Sequence, residues 1–372
     1  MKGFIAKTLT ILLVTLFTAS RVTSADSTEV PLDLNDGPYV FWQNDSTAIV
    51  FYICNDTLVK YALSIGDTLR FEGFCRDSLE SYTIVPPNHN IEAHTFDNVF
   101  RIFAVSDIHG EYEHIVDLLL NAGIIDGNSN WAWGDGHLVI VGDVVDRGDK
   151  VTECLWLIYK LEQQAPSTGG RVHFLLGNHE LMVLQGDNRY IHERYMKGIV
   201  RKTRIKHEDL YGPDMELGRW LRSKHVAVKI NDILFTHAGI PPFVTEVAWD
   251  LGKLNGIARL KLDLRSSQIA FDDTAKLLFG SGGPFWYRGY HYGMEGKYEQ
   301  AGPETINRIL AALGATTIVV GHTECPGVHW IEGNRILAID IPVEDVGSLQ
   351  GVLFQGGEFW LVDGSGKLKS IE

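Results

Sequence analysis

The sequence has few cysteines, no excess of basic residues and no long apolar run after its first segment. Its four cysteines among 372 residues, with 45% hydrophobic content, indicate a core that forms without disulfide staples. The formal net charge of -14 argues against nucleic acid as a partner, because such binding relies on lysine and arginine to neutralise phosphates. After residue 25, no stretch is long and apolar enough to span a membrane.

The first 25 residues are typical of a secretory signal peptide. Lys2 and Lys7 give a charged start, residues 9–19 are largely apolar, and small residues precede a cleavage point after Ala25. The apolar run is about half of the ~20 residues that a transmembrane helix needs, which favours cleavage over a membrane anchor. We therefore expect an exported protein, periplasmic or secreted, with no stable membrane association after cleavage.

The four cysteines divide into a candidate disulfide and two single residues. Cys54 and Cys75 lie in the same β-rich segment, and an oxidising compartment would allow them to pair. Two buried free thiols are the alternative for that pair. Cys154 falls in a helical pattern typical of the core. Cys325 follows a candidate metal ligand, but no neighbour marks it as a nucleophile.

Two regions with different patterns follow the signal peptide. Residues 26–97 contain short alternating or apolar runs separated by turn residues, which predict a small antiparallel β domain. Residues 98–372 repeat the pattern of strand, polar motif and helix, which predicts an α/β domain. We expect a two-sheet α/β sandwich flanked by helices, with a helical insertion at about 186–228 and a site formed by the loops at its strand ends.

Five predicted strands of the second region end in side chains that can bind a metal ion. These side chains are Asp107 with His109, Asp143, Asn178, His237 and His322. Carboxylate, imidazole and amide ligands together suit Mn, Fe or Zn better than a purely thiolate site would. Each motif alone could be a loop, a helix cap or a core histidine. Five of them at strand ends, with glycines beside them, predict a metal centre.

These motifs resemble the signature of the PPP-type phosphoprotein phosphatases. The matching segments are Asp107-Ile108-His109-Gly110, Gly142-Asp143-Val144-Val145-Asp146-Arg147-Gly148, Gly177-Asn178-His179-Glu180, His237-Ala238-Gly239 and Gly321-His322. The segment Pro284-Phe285-Trp286-Tyr287-Arg288-Gly289-Tyr290 and the export signal resemble the Shewanella-like protein phosphatase branch. The resemblance extends from about Phe100 to Ile341 and implies a calcineurin-like metallophosphoesterase fold.

The resemblance also implies two divalent metal ions, with Mn, Fe or Zn the candidates. The first ion would be held by Asp107, His109 and Asp143. The second would share Asp143 and would be completed by three further ligands: Asn178, His237 and His322. A hydroxide that bridges two ions roughly 3.5–4 Å apart would attack phosphorus directly.

Four further matched residues would handle the proton and the phosphate. By the resemblance, His179 would be the general acid that protonates the leaving oxygen, and Asp146 would orient it. Arg147 and Arg288 would bind the phosphate oxygens. Physical chemistry supports these roles, because a carboxylate stabilises the protonated imidazole and the planar guanidinium matches phosphate with two hydrogen bonds.

The implied function is a metal-dependent phosphoprotein phosphatase that hydrolyses phosphomonoesters of a protein or peptide, phosphotyrosine in particular. The alternative is a phosphodiesterase or a dinucleoside-polyphosphate hydrolase of the same superfamily, which shares the metal motifs. Arg288 favours the phosphatase, because a dianionic terminal phosphate gains from two arginines. The chain departs from the family at Ser106, where glycine is usual, and residues 339–343 lack the loop typical of eukaryotic Ser/Thr enzymes.

Two segments carry hypotheses about the substrate. Trp286, Tyr287 and Tyr290 surround Arg288 and could stack on a phosphotyrosine ring, or they could be ordinary core aromatics. Residues 189–206 contain seven basic residues and one acidic residue. This segment could form a cap that steers phosphorylated substrates towards the metals, or it could be a solvated helical face.

Overall fold

The computed structural model describes residues 34–64 and 90–371. The predicted signal peptide and Cys75 lie outside those residues, so export and the Cys54–Cys75 disulfide stay predictions. Cys154 and Cys325 are buried free thiols. None of the described helices combines the length and the hydropathy that a bilayer-crossing helix requires.

A three-stranded antiparallel sheet forms the N-terminal part of the described chain. Its strands are β1 (Asp36–Asn44), β2 (Thr47–Cys54) and β3 (Thr57–Ser64). Strand β2 lies between the other two, and its register with β3 is unbroken over the full length of both strands. This sheet confirms the predicted small antiparallel β structure.

Two six-stranded sheets form the α/β part. The first contains β5 (Arg101–Val105), β6 (His137–Ile140), β7 (Arg171–Phe174), β13 (Gly351–Gln355), β14 (Glu358–Val362) and β15 (Leu368–Ser370), in the order β15-β14-β13-β5-β6-β7. The second contains β4 (Thr95–Phe96), β8 (Ala227–Ile230), β9 (Ile233–Thr236), β10 (Thr317–Val320), β11 (His329–Ile331) and β12 (Ile336–Ala338), in the order β11-β12-β10-β9-β8-β4.

Helices cover the outer faces of the sheets and fill the connections. They are α1 (Tyr112–Asn121), α2 (Val151–Gln164), α3 (Asn178–Gln185), α4 (Glu193–Tyr195), α5 (Arg201–Thr203), α6 (Glu216–Arg222), α7 (Phe243–Glu246), α8 (Leu251–Lys261), α9 (Ser266–Ile269), α10 (Asp273–Phe279), α11 (Pro303–Leu313) and α12 (Val343–Val346). Single 3-10 turns occupy Ala165–Thr168 and His207–Tyr211, and a π turn occupies Met196–Val200.

Alternation along the strands builds a hydrophobic layer on each face of the first sheet. In β5, Ile102 and Ala104 pack between the two large sheets, together with Phe235 of β9. Phe103 and Val105 point to the opposite face and pack with the helices. Because successive side chains of a strand alternate between faces, these four consecutive apolar residues serve both layers.

The N-terminal sheet packs against helices α2 and α6 through buried polar contacts as well as apolar ones. The indole nitrogen of Trp42 in β1 donates to a carboxylate oxygen of Glu216 at 2.5 Å. The hydroxyl of Tyr159 in α2 donates to the other carboxylate oxygen at 2.6 Å. Glu216 is fully buried, so these bonds satisfy a charge that lies away from water.

Candidate active site

Loops at the carboxyl ends of five strands meet at one edge of the sandwich. β5, β6 and β7 run parallel, as do β9 and β10, so their carboxyl ends lie side by side. Backbone hydrogen bonds tie neighbouring loops together, from the Asp107 amide to the Gly142 carbonyl at 3.1 Å and from the Gly321 amide to the His237 carbonyl at 2.8 Å. The strand ends therefore hold the loops in a fixed relation before any ligand binds.

The backbone is strained at the residues predicted to form the site. Six of them have φ between 46° and 68°, a region that residues other than glycine rarely adopt: Asp107, His109, Asp143, Asp146, Arg147 and His322. Such conformations cost roughly 1–3 kcal/mol each and persist only where the surroundings impose them. Their concentration at one edge is typical of a functional site.

Two glycines allow the loops to approach as closely as they do. A side chain at Gly177 would overlap the carboxylate of Asp143. A side chain at Gly321 would overlap Asp107 and the hydroxyl of Ser106. Neither position has a left-handed backbone, so glycine is required there for space alone.

Glu180, in the first turn of α3, fastens the loop that carries Asp143. Its carboxylate accepts hydrogen bonds from the backbone amides of Asp143, Val144, Val145 and Gly177 at 2.8–3.2 Å. Burial and the charge of Asp143 raise the pKa of Glu180 to about 7, although the amide hydrogen bonds oppose that rise. Glu180 is a supporting residue that the sequence motif contained but whose role the motif alone did not reveal.

Asp143 lies at the centre of the site. Its Oδ2 atom is 3.2 Å from Nε2 of His237 and 3.9 Å from Nε2 of both His109 and His179. Asp143 belongs to two groups whose ligand atoms lie within 4.8 Å of one another: one with His109 and His179, the other with His237 and His322. This is the arrangement that a carboxylate shared between two cations requires.

The imidazole rings present bare nitrogens to this centre. Nδ1 of His109 donates to the carbonyl of Val145, and Nδ1 of His237 donates to the carbonyl of Val141, each at 2.9 Å. A carbonyl can only accept, so these bonds place the ring hydrogen on Nδ1 and leave the lone pair of a neutral ring on Nε2. Nε2 of His109 and Nε2 of His322 are buried without a partner among the described residues.

The raised pKa of His237 shows that the carboxylates at the centre stabilise positive charge there. Burial lowers the pKa of His237, but the adjacent carboxylates of Asp143 and Asp107 outweigh burial and raise it to about 10. The Oδ1 atom of Asn178 lies 2.9 Å from the same Nε2. A cation among these oxygens and nitrogens would replace the proton, so the donor set fits a divalent metal of the Mn, Fe or Zn type.

The pKa values of Asp107 and Asp143 shift in opposite directions in this environment. Burial raises the pKa of Asp107, even though the charge of His237 and two hydrogen bonds lower it. Burial also acts on Asp143, but the charges of His237, His179 and His109 outweigh it and hold its pKa well below the usual range. Asp107 accepts hydrogen bonds from Ser106 and from the backbone amide of His322, so the serine that replaces the usual glycine supports this carboxylate.

His179 and Asp146 form a buried pair beside the centre. Nδ1 of His179 lies 2.8 Å from Oδ2 of Asp146, which directs Nε2 towards Asp143. Burial lowers the pKa of His179, but the hydrogen bond to Asp146 and the charges of Asp143 and Asp146 outweigh it and raise the pKa. A protonated imidazole held in one orientation can deliver a proton to an oxygen in the cleft.

The two predicted arginines lie beside different parts of the centre. Arg147 is about half exposed and lines the cleft with Asp107 and His109. Arg288 is partly buried and donates from Nη1 to the carbonyl of His322 at 2.8 Å. The structure therefore brings the ten predicted metal, acid and phosphate residues to one edge of the sandwich.

The cleft above the centre is markedly acidic. It has a volume of about 400 Å³. Apart from Asp107, its lining includes five carboxyl groups that the sequence motifs did not single out: Glu111, Glu324, Asp340, Glu344 and Asp345. Burial and the charge of Asp107 raise the pKa of Asp340 well above its usual range. These residues come from distant segments, so no local pattern could have grouped them.

The aromatic wall proposed for a phosphotyrosine ring is wrong for Tyr287 and Tyr290. Both side chains are buried, at 0% and 1% exposure, because they pack on each other, and the hydroxyl of Tyr290 donates to the carbonyl of Ile240. Trp286 is partly exposed, with its ring 5.9 Å from that of His322. Tyr190, which the sequence did not mark, is 46% exposed and has its ring 5.2 Å from that of His179.

The basic segment at residues 189–206 is largely neutralised by ion pairs. Arg189 pairs with Asp187 and Lys197 pairs with Glu193. Two further ion pairs join Arg194 to Glu153 and Lys202 to Asp56. These contacts support the solvated-face alternative over a cap that steers substrates.

Comparisons with known proteins agree with the geometry. Residues 100–326 match the family model of the calcineurin-like phosphoesterases. The crystal structure of a cold-active protein-tyrosine phosphatase from a psychrophilic Shewanella species is 35% identical, with a TM-score of 0.84, and the alignment covers 91% of this chain and all of that one. This similarity confirms the predicted fold.

Two further relatives match at the level of sequence. An uncharacterised protein of Schizosaccharomyces pombe is 32% identical over 248 residues, which are 64% of this chain and 72% of that protein. Shewanella-like protein phosphatase 1 of Plasmodium berghei is 27% identical over 235 residues, which are 62% of this chain and 64% of that protein. The resemblance to the Shewanella-like branch is thereby confirmed.

Proposed function

Because the chain belongs to the calcineurin-like phosphoesterase family, we propose that it is a two-metal phosphoprotein phosphatase that hydrolyses phosphomonoesters, with phosphotyrosine as its preferred substrate. The observation that carries this proposal is the arrangement around Asp143. One carboxylate lies 3.2–3.9 Å from three imidazole nitrogens, and one of those imidazoles is paired with Asp146. This combination supports the proposal, because it would give a cation site and a proton donor at the same cleft.

The residues that would hold the metals are the six side chains at the strand ends: Asp107, His109, Asp143, Asn178, His237 and His322. When bound there, two divalent cations would activate water and offset the negative charge of the phosphate. Glu180 would keep the Asp143 loop in place during turnover, because it fixes four backbone amides. The rigid loops would thus be organised before the substrate arrives.

The proton and the phosphate are handled by residues around the centre. His179 would donate its proton to the oxygen that leaves phosphorus, and Asp146 would keep the imidazole protonated and oriented. Arg147 would meet the phosphate from the cleft, and Arg288 would do so from the side of His322. Arg147 is paired only weakly, with Nη1 3.5 Å from Glu324, so it is available to an anion.

The acidic cleft supports a protein substrate rather than a dinucleoside polyphosphate. A chain of four phosphates would have to pass Glu324, Glu344 and Asp345, whereas a single phosphate needs contact only with the metals and the arginines. The same carboxylates would attract lysine or arginine beside a phosphorylated residue. We therefore expect basic phosphopeptides to be better substrates than acidic ones.

Tyr190 supports the preference for phosphotyrosine. Its exposed ring lies beside His179, where the leaving oxygen of the substrate would receive its proton. The backbone carbonyl of Tyr190 also accepts from the amide of Arg147 at 2.9 Å, which ties the aromatic residue to the phosphate site. Aromatic pairs contribute about 0.5–1.5 kcal/mol beyond area burial, so stacking would favour phosphotyrosine several-fold.

A substrate panel tests the proposal. The wild-type enzyme should hydrolyse a basic phosphotyrosine peptide with a higher kcat/KM than the matched phosphoserine peptide, and both faster than diadenosine tetraphosphate. Tyr190→Ala should reduce the phosphotyrosine preference while leaving phosphoserine turnover unchanged, with the exposed Tyr292→Ala as a control. If diadenosine tetraphosphate is the best substrate, the phosphodiesterase or polyphosphate hydrolase alternative is correct. Equal losses on both peptides in Tyr190→Ala would exclude stacking.

A further inference from the structure

A third group of metal-ligand side chains lies outside the predicted two-metal centre. One ring nitrogen of His291, the Sγ atom of Cys325 and one ring nitrogen of His329 lie within 4.8 Å of one another. The two imidazoles are partly exposed, and Cys325 is 6% exposed. None of the three is among the ligands predicted for the catalytic metals, and no sequence motif assigns a role to Cys325.

We propose that His291, Cys325 and His329 form a separate zinc site. Zinc is bound in proteins by thiolate sulfur at about 2.3 Å and by imidazole nitrogen at about 2.0–2.1 Å in tetrahedral geometry. Ligand atoms around such an ion are roughly 3.3–3.6 Å apart, so these atoms, which lie within 4.8 Å of one another, would move closer by side-chain rotation. The partly exposed histidines leave access for a water molecule as the fourth ligand.

The hydrogen bonds of the two histidines fit this role. Nδ1 of His329 donates to the carbonyl of Gly327 at 2.9 Å, which leaves the lone pair of the neutral ring on Nε2. Nε2 of His291 is buried without a hydrogen-bond partner among the described residues. Burial, with smaller effects of His329 and Arg288, lowers the pKa of His291 to about 4, so its ring is neutral at pH 7. Neutral rings are the form that metals bind.

Cys325 supplies the ligand that distinguishes this site from the catalytic centre. Its thiol donates to the carbonyl of Thr323 at 3.0 Å. Burial and the charges of Asp340 and Asp107 raise its pKa to about 12, so a zinc ion must displace the thiol proton. Binding therefore releases one proton, and the affinity of the site should increase with pH.

The site would join the two segments that hold Arg288 and His322. The amide of His291 donates to the carbonyl of Arg288 at 2.9 Å, and the Arg288 guanidinium in turn bonds the carbonyl of His322. Cys325 follows His322 by three residues in the loop after β10. A zinc ion bound to His291 and Cys325 would therefore stabilise the position of Arg288 relative to the catalytic centre.

Titration of the metal-free, reduced full-length protein with Co²⁺ in the absence of oxygen tests this proposal. The catalytic ligands are nitrogen and oxygen atoms, so thiolate-to-cobalt charge-transfer absorption can arise only where a cysteine binds the metal. We expect three equivalents of Co²⁺ and this absorption in the wild type, and loss of the absorption when Zn²⁺ is added. A wild type that binds two equivalents without the absorption would overturn the proposal.

Variants identify the ligands. Cys325→Ser should bind two equivalents without charge-transfer absorption, whereas Cys154→Ala, which removes the other buried free thiol in the described part of the chain, should behave like the wild type. In His329→Ala, at a partly exposed position, the affinity for the third Co²⁺ ion should fall by roughly tenfold or more. This variant tests the assignment if Cys325→Ser does not fold. Charge-transfer absorption that persists in Cys325→Ser, or an unchanged third equivalent in His329→Ala, would refute the assignment. Neither result would affect the two-metal centre.

Discussion

At the scale of single residues, the site depends on backbone conformations that its own side chains would avoid elsewhere. Asp107, Asp143 and His322 all adopt left-handed φ values. Ser106 and Glu180 hold two of these loops through hydrogen bonds, while Gly177 and Gly321 provide the space. The positions of Asp107 and Asp143 therefore depend on neighbours that are not themselves predicted ligands.

The role of His179 as general acid predicts a dependence on the leaving group. In His179→Gln, kcat for a phosphotyrosine peptide should fall by about 10²–10⁴-fold, because the phenolate must leave without a proton. The kcat for p-nitrophenyl phosphate should fall much less, since its leaving group is a weaker base. The partly exposed His114→Gln serves as control. Steady-state kinetics that show equal losses for both esters would contradict a proton-donating role.

The tight packing around Asp107 predicts that an added methyl group will disturb metal binding. Gly321→Ala should reduce metal content and kcat together, because the new Cβ overlaps Asp107 and Ser106. Gly327→Ala is a matched control six residues away, where an added Cβ meets nothing within 4 Å. Metal analysis of both purified variants checks this. Normal metal content in Gly321→Ala would show that the loops are looser than the structure indicates.

At the scale of elements, the strands that end in motifs could be predicted and their partners could not. The pattern placed strands at residues 100–105 and 317–320, and β5 and β10 lie there. Each is a short apolar run followed by a small residue, Ser106 or Gly321, and then by a polar ligand, which is a local signal. The pairing of β13 with β5 is antiparallel and joins segments about 250 residues apart, so nothing local could reveal it.

The same distinction explains which site residues the sequence missed. The five motifs contain their own ligands, so Asp143 and His237 were recognisable from their neighbours. Tyr190, Asp340 and Glu344 come from an insertion or the C-terminal region and reach the site only through the fold. Tyr287 was wrongly offered as a substrate contact, and it is buried. The sequence around an aromatic residue beside an arginine is the same whether the ring faces the substrate or the core.

The contact between the N-terminal sheet and helix α6 predicts a large stability effect from one buried carboxylate. Glu216→Ala should lower the free energy of unfolding by about 3 kcal/mol or more, because Trp42 and Tyr159 would lose their buried hydrogen-bond partner. Denaturant unfolding measures this change, with the exposed Glu358→Ala as control. A loss as small as that of the control would mean that this carboxylate contributes little to holding the sheet against the helices.

At the scale of the whole molecule, the two large sheets place the five loops that carry the motifs at one edge, under an acidic cleft. The predicted chemistry needs positive charge there, since Asp143 and Asp340 are buried near the partly buried Asp107 while the substrate itself is an anion. Two divalent cations would provide that charge, and the arginines would add to it. The proposed activity therefore depends on the metals.

The most direct test is the metal dependence of turnover. Protein stripped of metal with a chelator should lose its activity on a phosphotyrosine peptide and should regain it when Mn²⁺ is added, with full activity at two ions per Asp143-centred site. Circular dichroism before and after stripping establishes that the chain remains folded. Full activity in metal-free protein would contradict the proposed mechanism, and recovery complete at a single ion would contradict the two-metal centre.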